Sequence, residues 1–110
     1  MISKSIIGKW NLIKHSQLDE DISGIICYFP DGKMELSIQG KANGLFISLH
    51  YSGEYILSSN CIIHEIKNST KTDDIETKQK RYFQIDKDQL ILTDLPEDFT
   101  FMATWKRMEF

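Results

Sequence analysis

Apolar and polar residues alternate along most of the chain with the period of two that β-strands show, and helical spacing is much rarer. The clearest example is the stretch 33–39, where Met34, Leu36 and Ile38 alternate with polar neighbours, as in a strand with one solvated face. Turn sequences recur at intervals of about 8–12 residues, which is typical of short-stranded β-proteins. The pattern predicts an all-β fold.

The alternating segments and the turns between them predict about eight strands in a meander. Pro30-Asp31-Gly32 is a tight-turn sequence, because proline fixes φ and glycine accepts a positive φ. Asp86-Lys87-Asp88 and Pro96-Glu97-Asp98 predict two further turns. The predicted strands are residues 7–15, 23–29, 33–39, 54–57, 61–68, 76–85, 89–93 and 99–107.

Residues 40–51 are the least regular part of the chain. Asn43-Gly44 signals a turn, and the apolar run that follows is compatible with a short helix or lid near residues 42–50 or with another strand.

Eight antiparallel strands can close into a barrel that holds side chains or one small ligand, and closure removes exposed edges. We therefore expect a single antiparallel up-and-down β-barrel.

The chain has 110 residues, which predicts one domain over residues 1–110. A chain of this length buries roughly 60–70% of its unfolded surface, enough to fold without disulfides or a metal. Cys27 and Cys61 both lie in apolar runs, where a thiol behaves as a small hydrophobe. Both are therefore expected to be buried free thiols.

Charge and hydropathy argue against several classes of partner. The formal charge is −3, and the one basic cluster, Lys78-Gln79-Lys80-Arg81, alternates along a predicted strand, so a solvated strand face is favoured over a nucleic-acid groove. No apolar stretch approaches the roughly 20 residues that a membrane helix requires. The amino terminus lacks the pattern of a secretory signal. We expect a soluble, cytoplasmic protein with no nucleic-acid partner and no membrane span.

The sequence offers no metal or nucleophile motif. His15, His50 and His64 have no spacing that places two ligands on one strand face, and the two cysteines are not a paired motif. No nucleophile elbow or catalytic triad is recognisable. No metal and no other cofactor is expected.

Several motifs together resemble a known family. Gly8-Lys9-Trp10 is similar to the Gly-x-Trp signature of lipocalins, and Thr104-Trp105-Lys106-Arg107 resembles their final strand. Residues 24–34, 51–55 and 81–86 resemble, in the same order, blocks of the small lipocalin-like domain family of bacteria and fungi, within the calycin superfamily. The resemblance covers nearly the whole chain. It implies a barrel closed at one end by Trp10, with Arg107 covering that side chain.

The chain also departs from the family. Residues 40–50 look shorter than the family's usual connection, and residues 69–74 lack the proline and tryptophan that members often carry there. Both segments lie where a barrel mouth is expected, so they bear on which ligand would be bound. Members of the wider superfamily bind small apolar molecules, and some lipocalin-like proteins act as cyclases.

The register of the resemblance, combined with strand alternation, sorts residues by face. Polar heads are expected to point inward at Tyr28, Tyr55, His64 and Arg81, among apolar residues that include Ile26, Leu36, Phe83 and Phe101. The full inward set is Trp10, Leu12, Gly24, Ile26, Tyr28, Met34, Leu36, Ile38, Tyr55, Leu57, Ile62, His64, Ile66, Arg81, Phe83, Leu90, Leu92, Phe101, Ala103 and Trp105.

An apolar lining with a few polar heads is the composition of a small-molecule site. Arg81 could pair with a ligand carboxylate or enolate, and His64 could exchange a proton with it. The alternative is structural: Arg81 packs on an aromatic ring or binds carbonyls, His64 is a satisfied core histidine, and both tyrosines are ordinary strand residues with hydrated hydroxyls.

Three functions follow from these residues. The first is binding of one small apolar or amphipathic molecule in the barrel. The second is a cofactor-independent isomerase or cyclase that uses the same pocket, with His64 and Arg81 as candidate catalytic residues. The third is a structural or interaction domain whose barrel is filled with side chains. A homodimer is left open.

Overall fold

A computed structural model of the chain describes residues 5–94 and 101–108, and these form one closed barrel of eight antiparallel strands. Each strand pairs with the next along the chain, and β8 returns to pair with β1. This confirms the predicted all-β, up-and-down fold class. The strands are β1 (Gly8–His15), β2 (Glu20–Tyr28), β3 (Lys33–Ala42), β4 (Leu45–Leu57), β5 (Cys61–Ser69), β6 (Lys78–Asp86), β7 (Gln89–Thr93) and β8 (Met102–Arg107).

Strand alternation produces the core directly. On β3, Met34, Leu36 and Ile38 are buried while the residues between them are exposed. The same alternation on the other strands directs a continuous set of apolar side chains toward the barrel interior. A single 3-10 turn, Thr72–Asp74, joins β5 to β6. The predicted turn at Pro96-Glu97-Asp98 lies outside the described residues.

The alternative of a helix or lid near residues 42–50 is wrong, because these residues form the β3–β4 hairpin. Asn43 and Gly44 have φ of 53° and 78° and make a two-residue turn between the paired residues Ala42 and Leu45. Two successive positive φ values are those of the type I′ turn, whose twist matches that of the flanking strands. β4 then continues without interruption into the predicted strand 54–57.

Gly53 allows β4 and β5 to approach closely at a β-bulge. The pairing register shifts between Ser52 and Gly53, and a Cβ atom at Gly53 would lie 1.9 Å from the carbonyl oxygen of Glu65. Any side chain there would force the two strands apart. The glycine therefore fixes how the barrel wall bends beside the interior.

Most residues predicted to face inward are buried, but Leu57 is not. Leu57 is 49% exposed and lies at the last position of β4, where the strand ends. Cys27 and Cys61 are buried and free, as predicted. None of the described residues forms a helix long and apolar enough to cross a bilayer.

Candidate functional site

Trp10 and Arg107 pack together at one end of the barrel, which we call the closed end. Trp10 is fully buried, and its indole Nε1 donates to the carbonyl oxygen of Ile6 at 2.9 Å. The Arg107 guanidinium lies 4.1 Å from the centre of the Trp10 ring and donates from Nη1 to the carbonyl oxygen of Ile7 at 3.0 Å. A Cβ atom on Gly8 would come within 3.0 Å of that same Nη1. The small residue in the Gly-x-Trp triplet thus leaves room for the arginine.

The other end of the barrel contains a cavity of about 410 Å³. Its wall is formed by apolar side chains of β3, β4, β7 and β8: Leu36, Ile38, Leu49, Leu92 and Trp105. The buried Trp105 Nε1 has no hydrogen-bond partner among the described residues, so the wall contains one unmet donor.

Polar side chains lie around the same cavity at the strand ends and in the loops: His15, Gln17, Lys71, Gln79, Arg81 and Asp94. Phe101 lies among them and packs edge-on against His15, with the ring centres 5.2 Å apart. The cavity therefore combines an apolar wall with a polar rim, which is the usual composition of a small-molecule site.

His64 bridges two tyrosines across the barrel at the inner limit of this cavity. The Tyr28 hydroxyl lies 2.6 Å from His64 Nε2, and the Tyr51 hydroxyl lies 2.9 Å from His64 Nδ1. All three side chains are buried. Tyr51 and His64 line the cavity, whereas Tyr28 lies on the closed side.

The direction of these hydrogen bonds follows from what each group can satisfy. A neutral imidazole offers one N–H donor and one acceptor nitrogen. Among the described residues the Tyr28 hydroxyl reaches no acceptor other than His64, so its proton would be unsatisfied unless it donates to Nε2. Nδ1 then carries the hydrogen and donates to the Tyr51 oxygen.

Burial holds this network in its neutral form. Burial, with the nearby positive charge of Arg81, lowers the pKa of His64 to about 3. Burial also raises the pKa of Tyr28 well above its ordinary value. At neutral pH neither group exchanges protons readily. A general base is most effective when its pKa lies near the working pH, and His64 is far from that condition.

Arg81 is the cation that reaches the cavity from β6. Its guanidinium lies 4.7 Å from the centre of the Phe101 ring and donates to the carbonyl oxygen of Lys80 at 3.0 Å and to Gln79 Oε1 at 3.3 Å. Among the described residues no carboxylate lies within ion-pair distance of it. Its positive charge is therefore held in place without a counter-ion in the part of the chain that the structure describes.

His15 is a neutral member of the rim. Burial lowers its pKa, and its Nδ1 accepts a hydrogen bond from the backbone N–H of Gln17 at 3.1 Å. Asp94 accepts from the backbone N–H of Phe101 at 3.1 Å. Together with Arg81 and Lys71, these groups give the rim two cations and one anion.

The structure brings only some of the sequence-predicted site residues to the cavity. His64, Arg81, Leu36 and Phe101 line it. The other predicted ligand-binding residues, Ile26, Tyr28, Tyr55 and Phe83, do not line it.

Those four residues have other contacts. Ile26 is fully buried in the packed end, and Phe83 packs against the core. Tyr55 packs edge-on against Tyr28, and its hydroxyl donates to the carbonyl oxygen of Phe29 at 2.7 Å. The alternative that the sequence offered, hydrated tyrosine hydroxyls, does not describe either residue, because the Tyr55 hydroxyl bonds a carbonyl and the Tyr28 hydroxyl bonds His64.

Sequence reasoning missed Tyr51 and most of the rim. Tyr51 precedes Tyr55 by an even number of residues, so continuing the strand backward would have placed it on the inner face. No such signal exists for Gln17 and Lys71, which lie outside the strands. Loop residues have no period from which their direction can be read.

A larger groove of about 570 Å³ lies on the outside of the wall formed by β3, β4 and β5. It lies over the Gly53 bulge, and its polar lining consists of outward-facing side chains such as those of Lys33, Glu35 and Lys67. None of the predicted site residues lines it. The interior cavity, where polar groups converge on an apolar wall, is the stronger candidate.

No protein-family model matches the chain, and no curated protein matches its sequence. Function has to be inferred from the geometry of the cavity.

Proposed function

We propose that this chain binds one small amphipathic molecule in the cavity at the open end of the barrel, as a single lipocalin-like domain. The observation that carries the proposal is the interior cavity of about 410 Å³, with an apolar wall and a cation that has no described counter-ion. The closed eight-stranded barrel is compatible with a lipocalin-like fold, and the sequence resemblance supports the same assignment.

The arrangement favours a ligand with an apolar tail and an anionic head. The tail would contact Leu36, Leu49 and Leu92, since burying each methylene is worth about 0.8 kcal/mol. The head would lie near Arg81, because a guanidinium binds a carboxylate through two parallel hydrogen bonds. Stacking on Phe101 already orients that guanidinium, which reduces the entropy lost on binding.

Binding is favoured over the isomerase or cyclase alternative by the state of His64. Both of its ring nitrogens are bonded to tyrosine hydroxyls, and its pKa is lowered to about 3. A proton carrier needs a free nitrogen and a pKa near the working pH. The cavity itself also favours binding over a barrel filled with side chains.

The free cysteines support the cytoplasmic location predicted from the sequence. Cys27 and Cys61 are both buried and unpaired, and free thiols are typical of reducing compartments.

Isothermal titration with decanoate and with 1-decanol tests the proposal. Both probes have the same tail and differ in the charge of the head. We expect decanoate to bind more tightly. Arg81→Met is expected to weaken decanoate binding about 10- to 100-fold, the range for a charged hydrogen bond, and to leave 1-decanol binding within about twofold.

Lys80→Met is the matched control, since Lys80 is the neighbouring cation on β6 and its side chain is exposed on the other face. It removes the same charge and should leave decanoate binding unchanged. Equal affinity of wild type and Arg81→Met for decanoate would overturn the role of Arg81. Failure of both probes to bind would overturn the proposal.

A further inference from the structure

Residues 45–49, the first part of β4, form a strand edge that no other described strand covers. β4 pairs with β3 from Leu45 to Glu54, but its pairing with β5 begins only at Tyr51. Among the described residues, the backbone of residues 45–49 has no strand on its second side. Thr70 donates its backbone N–H to the His50 carbonyl oxygen at 2.9 Å. His50 is therefore the last residue of this edge that has a described partner on that side.

Hairpin geometry determines which backbone groups face this open edge. In a two-residue hairpin, the residues flanking the turn exchange both of their hydrogen bonds, and every second pair along the strands does the same. Ala42 and Leu45 flank the turn, so Ile47 and Leu49 also bond to β3. Phe46 and Ser48 then direct their N–H and C=O groups away from β3, where no described residue accepts or donates.

The side chains at this edge are apolar and exposed. Leu45, Phe46 and Ile47 are 71%, 66% and 42% exposed. No charged residue occurs between Lys41 and Glu54. Proteins normally protect an exposed edge with a charge, a proline or a bulge, and residues 45–49 contain none of these. An uncharged, apolar edge of this kind is suited to pairing with another strand.

We propose that residues 45–49 pair antiparallel with the same residues of a second copy of this chain, about a two-fold axis at Ile47. In this register Phe46 of each copy lies opposite Ser48 of the other, and each pair exchanges two hydrogen bonds, which satisfies all the outward N–H and C=O groups. Leu45 lies opposite Leu49, and Ile47 lies opposite its own equivalent. No like charges meet across the axis.

The charges beside the hairpin favour this occupant over a lipid surface. Asp19, Glu20 and Asp21 precede or begin β2 at the same end of the barrel, and of these Asp21 pairs with Lys41 at 3.4 Å. Asp19 lies against the turn, where its carboxylate accepts from the backbone N–H of Asn43 at 3.4 Å. Anionic membranes would repel these carboxylates, whereas a second uncharged edge would not.

The proposed interface is small, because one short strand pairs with one short strand. Stable interfaces bury about 1,600 Å² in total, and smaller ones are weak and transient. We therefore expect a dimer that dissociates on dilution. The dimer extends the β3–β4 sheet of each barrel across the axis, with the cavity-lining Leu49 on the same sheet face as Ile47.

Disulfide cross-linking of single-cysteine additions tests the register. Ile47 and its equivalent form a non-hydrogen-bonded pair with Cα atoms about 4.5 Å apart, within the range that a disulfide spans. Ile47→Cys is expected to cross-link into a covalent dimer under mild oxidation. Leu45→Cys is the matched control, because it is more exposed but lies about 14 Å from its own equivalent in this register. It should stay monomeric. Equal cross-linking at both positions, or none at Ile47→Cys, would overturn the proposal.

Sedimentation equilibrium at up to about 1 mM chain tests the backbone pairing, since weak interfaces need high concentration. Ser48→Pro removes an N–H that points away from β3, so the barrel should remain folded while the dimer is lost. Ser48→Ala keeps the N–H and should still dimerise, and circular dichroism monitors the fold of both.

A wild-type chain that stays monomeric at this concentration would contradict the proposal. So would a monomer whose hairpin binds phosphatidylcholine vesicles, an outcome that would assign the edge to a lipid surface instead. Neither result depends on whether the cavity binds decanoate, so the two proposals fail separately.

Discussion

The two ends of the barrel use the same strand alternation, yet their inward side chains meet different surroundings. At the closed end, Trp10, Tyr28 and Leu90 are packed against other side chains and are almost fully buried. At the open end, Leu92 and Tyr51 face a cavity. One end thus contributes mainly to stability, and the other has space for a ligand.

His64 marks the boundary between the two ends. It accepts from Tyr28 on the packed side and donates to Tyr51 on the cavity side. A buried polar group must be satisfied by partners in fixed positions, so the network holds strands β2, β4 and β5 in one arrangement. The difference between the ends teaches that polar residues inside a small barrel can be packed among core side chains at one level and line a cavity at the next.

Two leucines on one strand provide the sharpest stability comparison. Leu90→Ala leaves a void in the packed end and should lower the free energy of unfolding by about 3–5 kcal/mol. Leu92→Ala only enlarges a cavity that already exists, so it should cost about 2 kcal/mol, close to the transfer term alone. Urea denaturation measures both. Equal losses would mean that the two ends are packed alike.

The pH dependence of stability tests the buried state of His64, which lies at the boundary between the two ends. The pKa of His64 is about 3 in the folded chain, against an ordinary value of 6.5. Below pH 6.5 the unfolded chain binds a proton at His64 that the folded chain does not. The contribution of His64 to stability is therefore present in full above pH 6.5 and is lost as the pH falls. The expected loss approaches about 1.4 kcal/mol per pH unit until the folded pKa is reached.

Urea denaturation between about pH 7 and about pH 4 measures this slope. His64→Gln should reduce the slope. An unchanged slope in His64→Gln would show that another group is responsible.

Much of the fold could be predicted from the sequence, because the signal was local. Alternating segments separated by turn sequences, of which β3 after Pro30-Asp31-Gly32 is the clearest, predicted the number of strands and their antiparallel order. Residues 45–49 could not be assigned because all of them except Ser48 are apolar, so the segment shows no regular alternation of apolar and polar residues.

The candidate site was less predictable, because much of it depends on contacts that no local sequence pattern signals. His64 on β5 and Arg81 on β6 were predicted to point inward from the register of the resemblance combined with strand alternation. The bond between Tyr51 and His64 joins residues that approach only through strand register, and Lys71 reaches the cavity from a loop. Neither position can be derived from the spacing of residues along the chain.

Backbone and methyl NMR of the isotope-labelled chain, titrated with decanoate, tests the central claim most directly. If the open end binds the ligand, signals of Leu36, Leu49 and Leu92 should shift in a saturable way, while those of Met34 and Leu90 at the closed end should not. Shifts confined to the outer groove around Gly53, or no saturable shift at all, would contradict the assignment of function to the cavity.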